Sequence, residues 1–246
     1  MLKFSIIVCT LNSKSYLFQC LNSIKCQSYT DYEIIIIDGG SHDETLSIVQ
    51  EFNIEKVFKN VTGGVSKAMN FGISKASGDI IAVLHSDDYY YTENALQLVA
   101  HCFEEKKCNW LYANLVTLKK DGSFNFNKNS IYSKEYLSHT FNIPHPTVFI
   151  KKRVYEELGV FNEYYKYAMD YDLLLRISKK FEPVQIDDFI TVFREHEGSL
   201  STSNWSKAQI ESLVIQQKHA ESLIIKAKGI FRFVKTRLAR IKHNLK

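Results

Sequence analysis

Three prolines, ten glycines and five cysteines among 246 residues leave little of the material that breaks, links or staples a chain. With no Pro- or Gly-rich tract, a collagen-like or low-complexity chain is excluded, and the apolar content excludes disorder. Cys9, Cys20, Cys26, Cys102 and Cys108 are odd in number and form no C-x-x-C pair. Neither a zinc site nor a disulfide framework is indicated, and a reducing cytosol fits best. Long hydrophobic runs are also missing. The longest, Ile34–Ile37 and Ile80–Leu84, fall far short of the roughly 20 residues that cross a bilayer. The start, MLKFSIIVCTLN, has no small-residue cleavage site and is expected to be a first strand, not a signal peptide.

Acidic residues are absent from Lys226–Lys246, where eight Lys/Arg fall. The chain's formal +4 therefore divides into a body of −4 over residues 1–225 and a +8 tail. Such asymmetry points to a surface-binding segment on an ordinary globular body. The body is long enough for one sizeable domain with its own core.

FSIIVC (4–9) and EIIII (33–37) are near-continuous apolar runs, as strands buried on both faces require. Between them Tyr16, Leu17, Cys20, Leu21 and Ile24 recur at helical spacing. Ser41-His-Asp-Glu44 is a capping-box pattern opening a second helix. A third strand is expected at about 54–58, then Gly63-Gly64 and a helix carrying Ala68, Met69 and Ile73. DIIAVL (79–84) is a fourth strand, and Thr92 caps a helix through Leu96, Val99 and Phe103. This alternation predicts a mostly parallel sheet covered by helices. After residue 108 the pattern alternates, turns at Asp121-Gly122 and continues as FNFN, so the second half is expected to be more antiparallel, with helices near 151–158 and 169–180.

Ligands bind outside the carboxyl ends of strands in open parallel sheets. At those ends stand Thr10 and Asn12, then Asp38 with Gly39-Gly40, then His85-Ser86-Asp87-Asp88. Adjacent carboxylates repel unless a cation joins them. A hard ion with oxygen ligands, Mn²⁺ or Mg²⁺, suits a site of one or two carboxylates plus substrate phosphates.

Four ordered stretches, FSIIVCTLN, IIIIDGGSHDET, GGVSKAMNFGISKASGDIIAVLHSDD and AMDYDLLLR, resemble the inverting family-2 glycosyltransferases of GT-A fold. The resemblance is closest to bacterial members that build surface polysaccharides, and it covers roughly residues 4–200. It implies that Thr10 and Asn12 line the nucleotide site and that Asp38 accepts from the ring N–H of uracil or thymine. It places Gly64, Ser66, Lys67 and Asn70 beside nucleotide and sugar. It assigns Asp87 and Asp88 to the metal motif, with Asp88 as the direct ligand, and Asp170 to the catalytic base.

The chain departs from the family pattern in three places. Ser86 stands at the first metal-motif position, where relatives carry an acid that contacts the ribose. Lys67 stands where relatives often carry Asp, and either contacts a diphosphate oxygen or is a solvated helix charge. Met169-Asp170 supplies one acid where Glu-Asp is common. Asp170 and Asp172 point about 200° apart on a helix, so Asp172 is expected to pair with Arg176 instead. His145, between Pro144 and Pro146, is either structural or on the acceptor side. His196 and Ser199 lie where relatives have a segment that closes over the nucleotide, and a plain solvated loop is the other option.

A division into a domain at 1–204 and a helical basic tail at 205–246 is expected. The tail repeats Ile224, Ala227, Phe231, Val234, Leu238, Ile241 and Leu245 as one apolar stripe among Lys and Arg. Basic amphipathic helices of this kind lie on anionic membrane surfaces, here the cytoplasmic face of the cell membrane. The same stripe could pack on the body or on a second subunit as a coiled coil. Nucleic acid is not expected as a partner, because the body is acidic and no reading module is present.

The activity expected is metal-dependent inverting transfer from a nucleotide sugar, a UDP-sugar above others, to a glycan or polyprenyl-linked hydroxyl. Two alternatives are a sugar-phosphate nucleotidyltransferase, which would need a Gly-rich, Arg-containing loop where Thr10-Leu-Asn-Ser-Lys14 stands, and a non-catalytic nucleotide-binding partner recruited to membranes.

Overall fold

The computed structural model describes residues 1–140, 143–199 and 203–244, with side chains to residue 239. Its first half follows the apolar rhythm of the sequence: β1 (Phe4–Thr10), α1 (Leu17–Lys25), β2 (Tyr32–Asp38), α2 (Thr45–Glu51), β3 (Lys56–Phe58), α3 (Val65–Lys75) and β4 (Ile80–Val83). Every residue of β1 is buried. It pairs in parallel with β2 on one edge and β4 on the other, and β2 pairs in parallel with β3.

Successive strand residues point to opposite faces, and the apolar runs therefore serve two cores. Ile7, Ile35, Ile37, Ile81 and Val83 pack with Ala68, Met69 and Ile73 of α3. Phe4, Ile6, Val8, Ile34, Ile36 and Ile80 pack with Leu17, Leu21 and Ile24 of α1. Gly72 lets α3 sit down on the sheet, because a Cβ there would lie 2.5 Å from Ile7 Cγ2.

The second half contains β5 (Tyr89–Tyr90), α4 (Ala95–Lys106), β6 (Trp110–Leu118), β7 (Phe124–Asn127), α5 (Lys134–His139), a 3-10 turn at His145–Thr147, β8 (Phe149–Lys151), α6 (Lys152–Leu158), α7 (Met169–Lys180) and β9 (Val184–Arg194). Two helices follow, α8 (Trp205–His219) and α9 (Leu223–Asn244). Among the described residues the sheet order is β3-β2-β1-β4-β8-β6-β9-β5, with β7 on β6. Here β8 runs antiparallel to β4 and β6, β7 to β6, and β5 to β9. The chain goes from β1 to β2 on one side and reaches β4 on the other, a switch point that opens a crevice beyond the strand ends.

Two expected caps differ. Ser41 Oγ donates to Asp38 instead of capping α2; Asp43 Oδ1 accepts from Thr45 N at 3.0 Å at that end. Thr92 makes no side-chain cap on α4. Gln27 Oε1 of the α1–β2 loop reaches across to accept from Leu96 N at 3.0 Å. The Asp121-Gly122 turn forms as expected, with Gly122 at φ +82°. Asp172 does pair with Arg176, at 3.0 Å, and also meets His219 at 2.9 Å.

The residues after 204 are not detached from the body. Ile215 of α8 is fully buried in the core that holds Ile7 and Met169. α9 rests on the body through Gly229, where a Cβ would stand 2.0 Å from Gln216 Oε1. Lys228 reaches Glu135 and Arg232 lies over the Tyr136 ring on the same side. The apolar stripe faces outward: Ile224, Phe231, Val234 and Leu238 are exposed. Ile241 and Leu245 lie outside the described side chains. Among the described residues no helix is long and apolar enough to cross a membrane.

Gly72→Val should lower stability by about 1–3 kcal/mol, the usual cost of overpacking. Thermal unfolding should read this as a Tm fall of roughly 2–4 °C per kcal/mol.

Candidate active site

A cavity of about 690 Å³ opens beyond the carboxyl ends of β1, β2 and β4. Strand pairing sets its floor, since Gly39 N donates to Thr10 O at 2.9 Å and Leu84 N to Ile7 O at 3.0 Å. Of the residues singled out from sequence, Thr10, Asn12, Gly64, Ser86, Asp87, Asp88, His145, Asp170, His196 and Ser199 line this one cavity. Asn12 takes φ +49° there, with its Oδ1 accepting from His42 N at 2.9 Å. Gly63 and Gly64 (φ +112° and +99°) turn the chain into α3. Among the described residues, apart from its chain neighbours, no atom stands within 4 Å of a Cβ built on Gly64, so bare backbone faces open space.

The acidic corner is held by β9. Pairing of β5 with β9 brings Arg194 N to Asp88 Oδ1 at 3.1 Å. Arg194 Nε donates to Asp87 O at 3.2 Å, and the guanidinium sits 4.9 and 5.5 Å from the Tyr16 and Tyr89 ring centres. His196 Nε2 lies 2.8 Å from Asp87 Oδ2. Asp88 is 1% exposed. Burial first, and the neighbouring Asp87 second, push its carboxyl well above the ordinary range. Ser86 Oγ is 2.8 Å from Ser13 Oγ and is thereby tied to the β1 loop.

Two adjacent carboxylates, one of them buried and disfavoured as an anion, fit a hard cation. Among the described residues no set of three or more His, Cys, Asp and Glu gathers as a metal cage. Asp87 and Asp88 offer oxygen donors, the kind that an ion of the Mg²⁺ or Mn²⁺ type takes.

Asp170 stands in the first turn of α7, with Tyr171 N donating to its Oδ1 at 2.9 Å. Burial pushes its carboxyl up to about 7, against the opposing pull of that hydrogen bond. His145 lines the same cavity and is pushed down to about 3 by burial, so its imidazole is neutral near pH 7. Its Nε2 is buried with no hydrogen-bond partner among the described residues, and its ring lies 5.6 Å from that of His85.

Four expected donor contacts fall outside the cavity lining. Asp38 is fully buried. Its Oδ2 accepts from Gly40 N and Ser41 N at 2.9 and 3.0 Å, and its Oδ1 from Ser41 Oγ, so its oxygens hold the turn of their own loop. Ser66 Oγ donates to Tyr165 O at 3.0 Å. Asn70 Nδ2 donates to Phe161 O at 2.9 Å, and Asn70 Oδ1 accepts from Phe161 N at 2.9 Å. Both residues brace the segment that leads into α7. Lys67 is exposed, with its aliphatic stem beside Gly63. Arg194 was not singled out from sequence, although it begins the Arg-Glu-His-Glu stretch that drew attention to His196. His85 was visible only as the neighbour of the acidic pair.

The fold is of GT-A type. S. aureus TarS 1–349, in a structure with UDP-GlcNAc, superposes with a TM-score of 0.70 at 22% identity over 93% of this chain and 71% of that one. The mannosyltransferase PcManGT from Pyrobaculum calidifontis, with GDP-Man and Mn²⁺, does so with a TM-score of 0.70 at 15% identity over 91% of this chain and 66% of that one. The sequence profile of Glycosyl transferase family 2 matches residues 5–159, and the chain belongs to that family. A PGL/p-HBAD biosynthesis glycosyltransferase of Mycobacterium bovis (strain BCG) is 33% identical over 178 residues, 70% of this chain and 68% of the relative. The chain is accordingly a glycosyltransferase, which sets aside the nucleotidyltransferase alternative.

Asn70→Ala removes its bonds to Phe161 and Glu163. A loss of about 1–3 kcal/mol in stability is expected, with faster amide exchange at 161–165 in hydrogen–deuterium measurements.

Proposed function

We propose that the chain is an inverting, metal-dependent hexosyltransferase that moves a sugar from a nucleotide-sugar donor to a hydroxyl of a glycan or polyprenyl-linked acceptor. One observation carries this reading: Asp170, pushed up to about 7, lines the same cavity as Asp87 and Asp88. A carboxyl at that value is matched to general-base work near neutral pH. The relatives support the donor class, since TarS is described with UDP and with UDP-GlcNAc and PcManGT with GDP-Man. UDP-sugars are the donors to try first.

In this mechanism the acceptor oxygen attacks the anomeric carbon from the face opposite the nucleoside diphosphate. The new C–O bond forms as the bond to the leaving phosphate oxygen breaks, and Asp170 takes the hydroxyl proton. Single displacement inverts the anomeric centre and needs no enzyme nucleophile. Asp88, with Asp87 beside it, would hold Mn²⁺ or Mg²⁺, which supplies neutralisation of charge on the leaving diphosphate. His196 and Ser199, on the segment after β9, close the donor side. Neutral His145 offers its free ring nitrogen on the acceptor side. The Mycobacterium bovis relative is described in PGL/p-HBAD biosynthesis, which supports a place in surface glycoconjugate synthesis.

We further assign α9 to the cytoplasmic surface of an anionic membrane. Its outward face joins exposed Ile224, Phe231, Val234 and Leu238 to a segment with eight Lys/Arg and no acid. Apolar burial plus attraction to anionic headgroups is what holds such helices in plane.

In an assay with UDP-sugars and Mn²⁺, Asp170→Asn should lower kcat by roughly 10²–10⁴-fold with donor binding retained. Wild-type activity should rise through about pH 7, as Asp170 must be ionised to accept the proton. Activity unchanged in Asp170→Asn would overturn the base assignment.

Vesicles containing phosphatidylglycerol should sediment the wild type, and Phe231→Asp with Leu238→Asp should abolish this without changing donor binding. A dimer in size-exclusion chromatography that these changes dissolve, with no vesicle binding by wild type, would assign the face to a second copy.

A further inference from the structure

The segment Phe161–Ala168 leads directly into α7 and Asp170, and it contains little regular structure of its own. A helix start leaves backbone N–H groups without intrahelical partners. Here three consecutive N–H groups just before α7 converge on one side chain from beyond residue 204. Lys166 N donates to Glu211 Oε1 at 2.9 Å, while Tyr167 N and Ala168 N donate to Glu211 Oε2 at 2.6 and 2.8 Å. Both carboxylate oxygens are engaged by backbone, and hydrogen bonds to an ionised acceptor are the strong kind. An anion at a helix N-terminus also meets the positive end of the helix dipole.

From the opposite side, Ser66 and Asn70 of α3 hold Tyr165 and Phe161. The approach to α7 is thus clamped between α3 and α8. Tyr167, Met169 and Asp170 line the cavity, whereas Glu211 does not. Its carboxylate grips the peptide groups two to four residues before Asp170.

We propose that Glu211 is a positioning residue for Asp170: its carboxylate fixes the backbone from which the base is presented to the acceptor hydroxyl. The role rests on the reading of Asp170 as the base. It also makes α8 a working part of the catalytic unit, beyond its packing. The negative field of Glu211 adds to burial in raising the Asp170 carboxyl, as the smallest of the causes acting on it; Asp172 on α7 lies in its ion pairs with Arg176 and His219. Across the cavity stand His85, His145, Asp87, Asp88 and His196.

Glu211→Gln in the full chain tests the role. The amide keeps the shape but loses the charge and one acceptor oxygen, so at least one N–H faces an NH₂ group. Expected are a fall in kcat of about 10- to 100-fold, as for a misplaced catalytic group, and donor KM within twofold of wild type. The acid limb of the kcat/KM profile should move to lower pH, because removing the negative charge makes Asp170 easier to ionise. In the Asp170→Asn background the same change should add little, since the two residues act as one unit. Glu211→Asp, which keeps the charge, should leave the acid limb in place while lowering kcat; it also serves if the amide variant does not fold. A kcat within twofold and an unmoved limb in Glu211→Gln, beside an inactive Asp170→Asn, would overturn the positioning role alone. Full transfer by Asp170→Asn would remove the base assignment, and this role with it.

Discussion

The central strand β1 is the fixed element on which the site is built. It is buried on both faces and paired in parallel on both edges, so neither of the two cores can shift without it. Its carboxyl end is tied to the β1–β2 and β1–β4 strand ends by backbone hydrogen bonds at Thr10 and Ile7. Thr10 ends β1, and Ser86, three residues past β4, is tied to Ser13 beyond β1. Rigid strand ends are what allow polar groups from distant parts of the sequence to meet with defined geometry.

Charge in the cavity is arranged by burial more than by pairing. Asp88 and Asp170 are both raised chiefly by desolvation, but their surroundings differ. Asp88 adjoins a second carboxylate, so an incoming cation would reverse the penalty for ionising it. Asp170 has no such carboxylate neighbour in sequence, and its value near 7 keeps it available to accept a proton. Under the proposed roles, both carboxyls are raised by burial, and what distinguishes them is the second carboxylate beside Asp88. Arg194 supports the corner through its backbone N–H and its guanidinium, and that guanidinium stays between Tyr16 and Tyr89.

The two helices after residue 204 divide their work. α8 contributes Ile215 to the core and Glu211 to the start of α7. α9 rests on the body through Gly229 against Gln216 and through Lys228 and Arg232 against Glu135 and Tyr136. Docking through that face leaves the apolar stripe in solvent. A stripe in the sequence marks a face that will be covered, but it does not say by what. Here the body takes the other side.

The amino-acid order by itself determined the strands of the parallel half, because runs such as FSIIVC and EIIII can be satisfied only by burial on two faces. It also put Thr10, Asp87 and Asp88 after those runs at the strand ends, while Asp170 was singled out by the family resemblance; all four line the one cavity. The pairing of Asp172 with Arg176 was legible from a four-residue spacing. What lay beyond reach depended on contacts between distant segments. Asp38 holds its own turn through Gly40 and Ser41, a local contact, whereas Ser66 and Asn70 face the 161–165 segment, a pairing that no local pattern encodes. Gln27 replaces Thr92 at the α4 start for the same reason. Glu211 looks like any acid on a helix until tertiary packing brings it against three amides 43 to 45 residues earlier. Local periodicity settled which faces are buried in β1, β2, α1 and α3, though not in α9, whose stripe is exposed; only the folded chain settles which polar atoms meet, since hydrogen bonds depend on distances that close after the cores have formed.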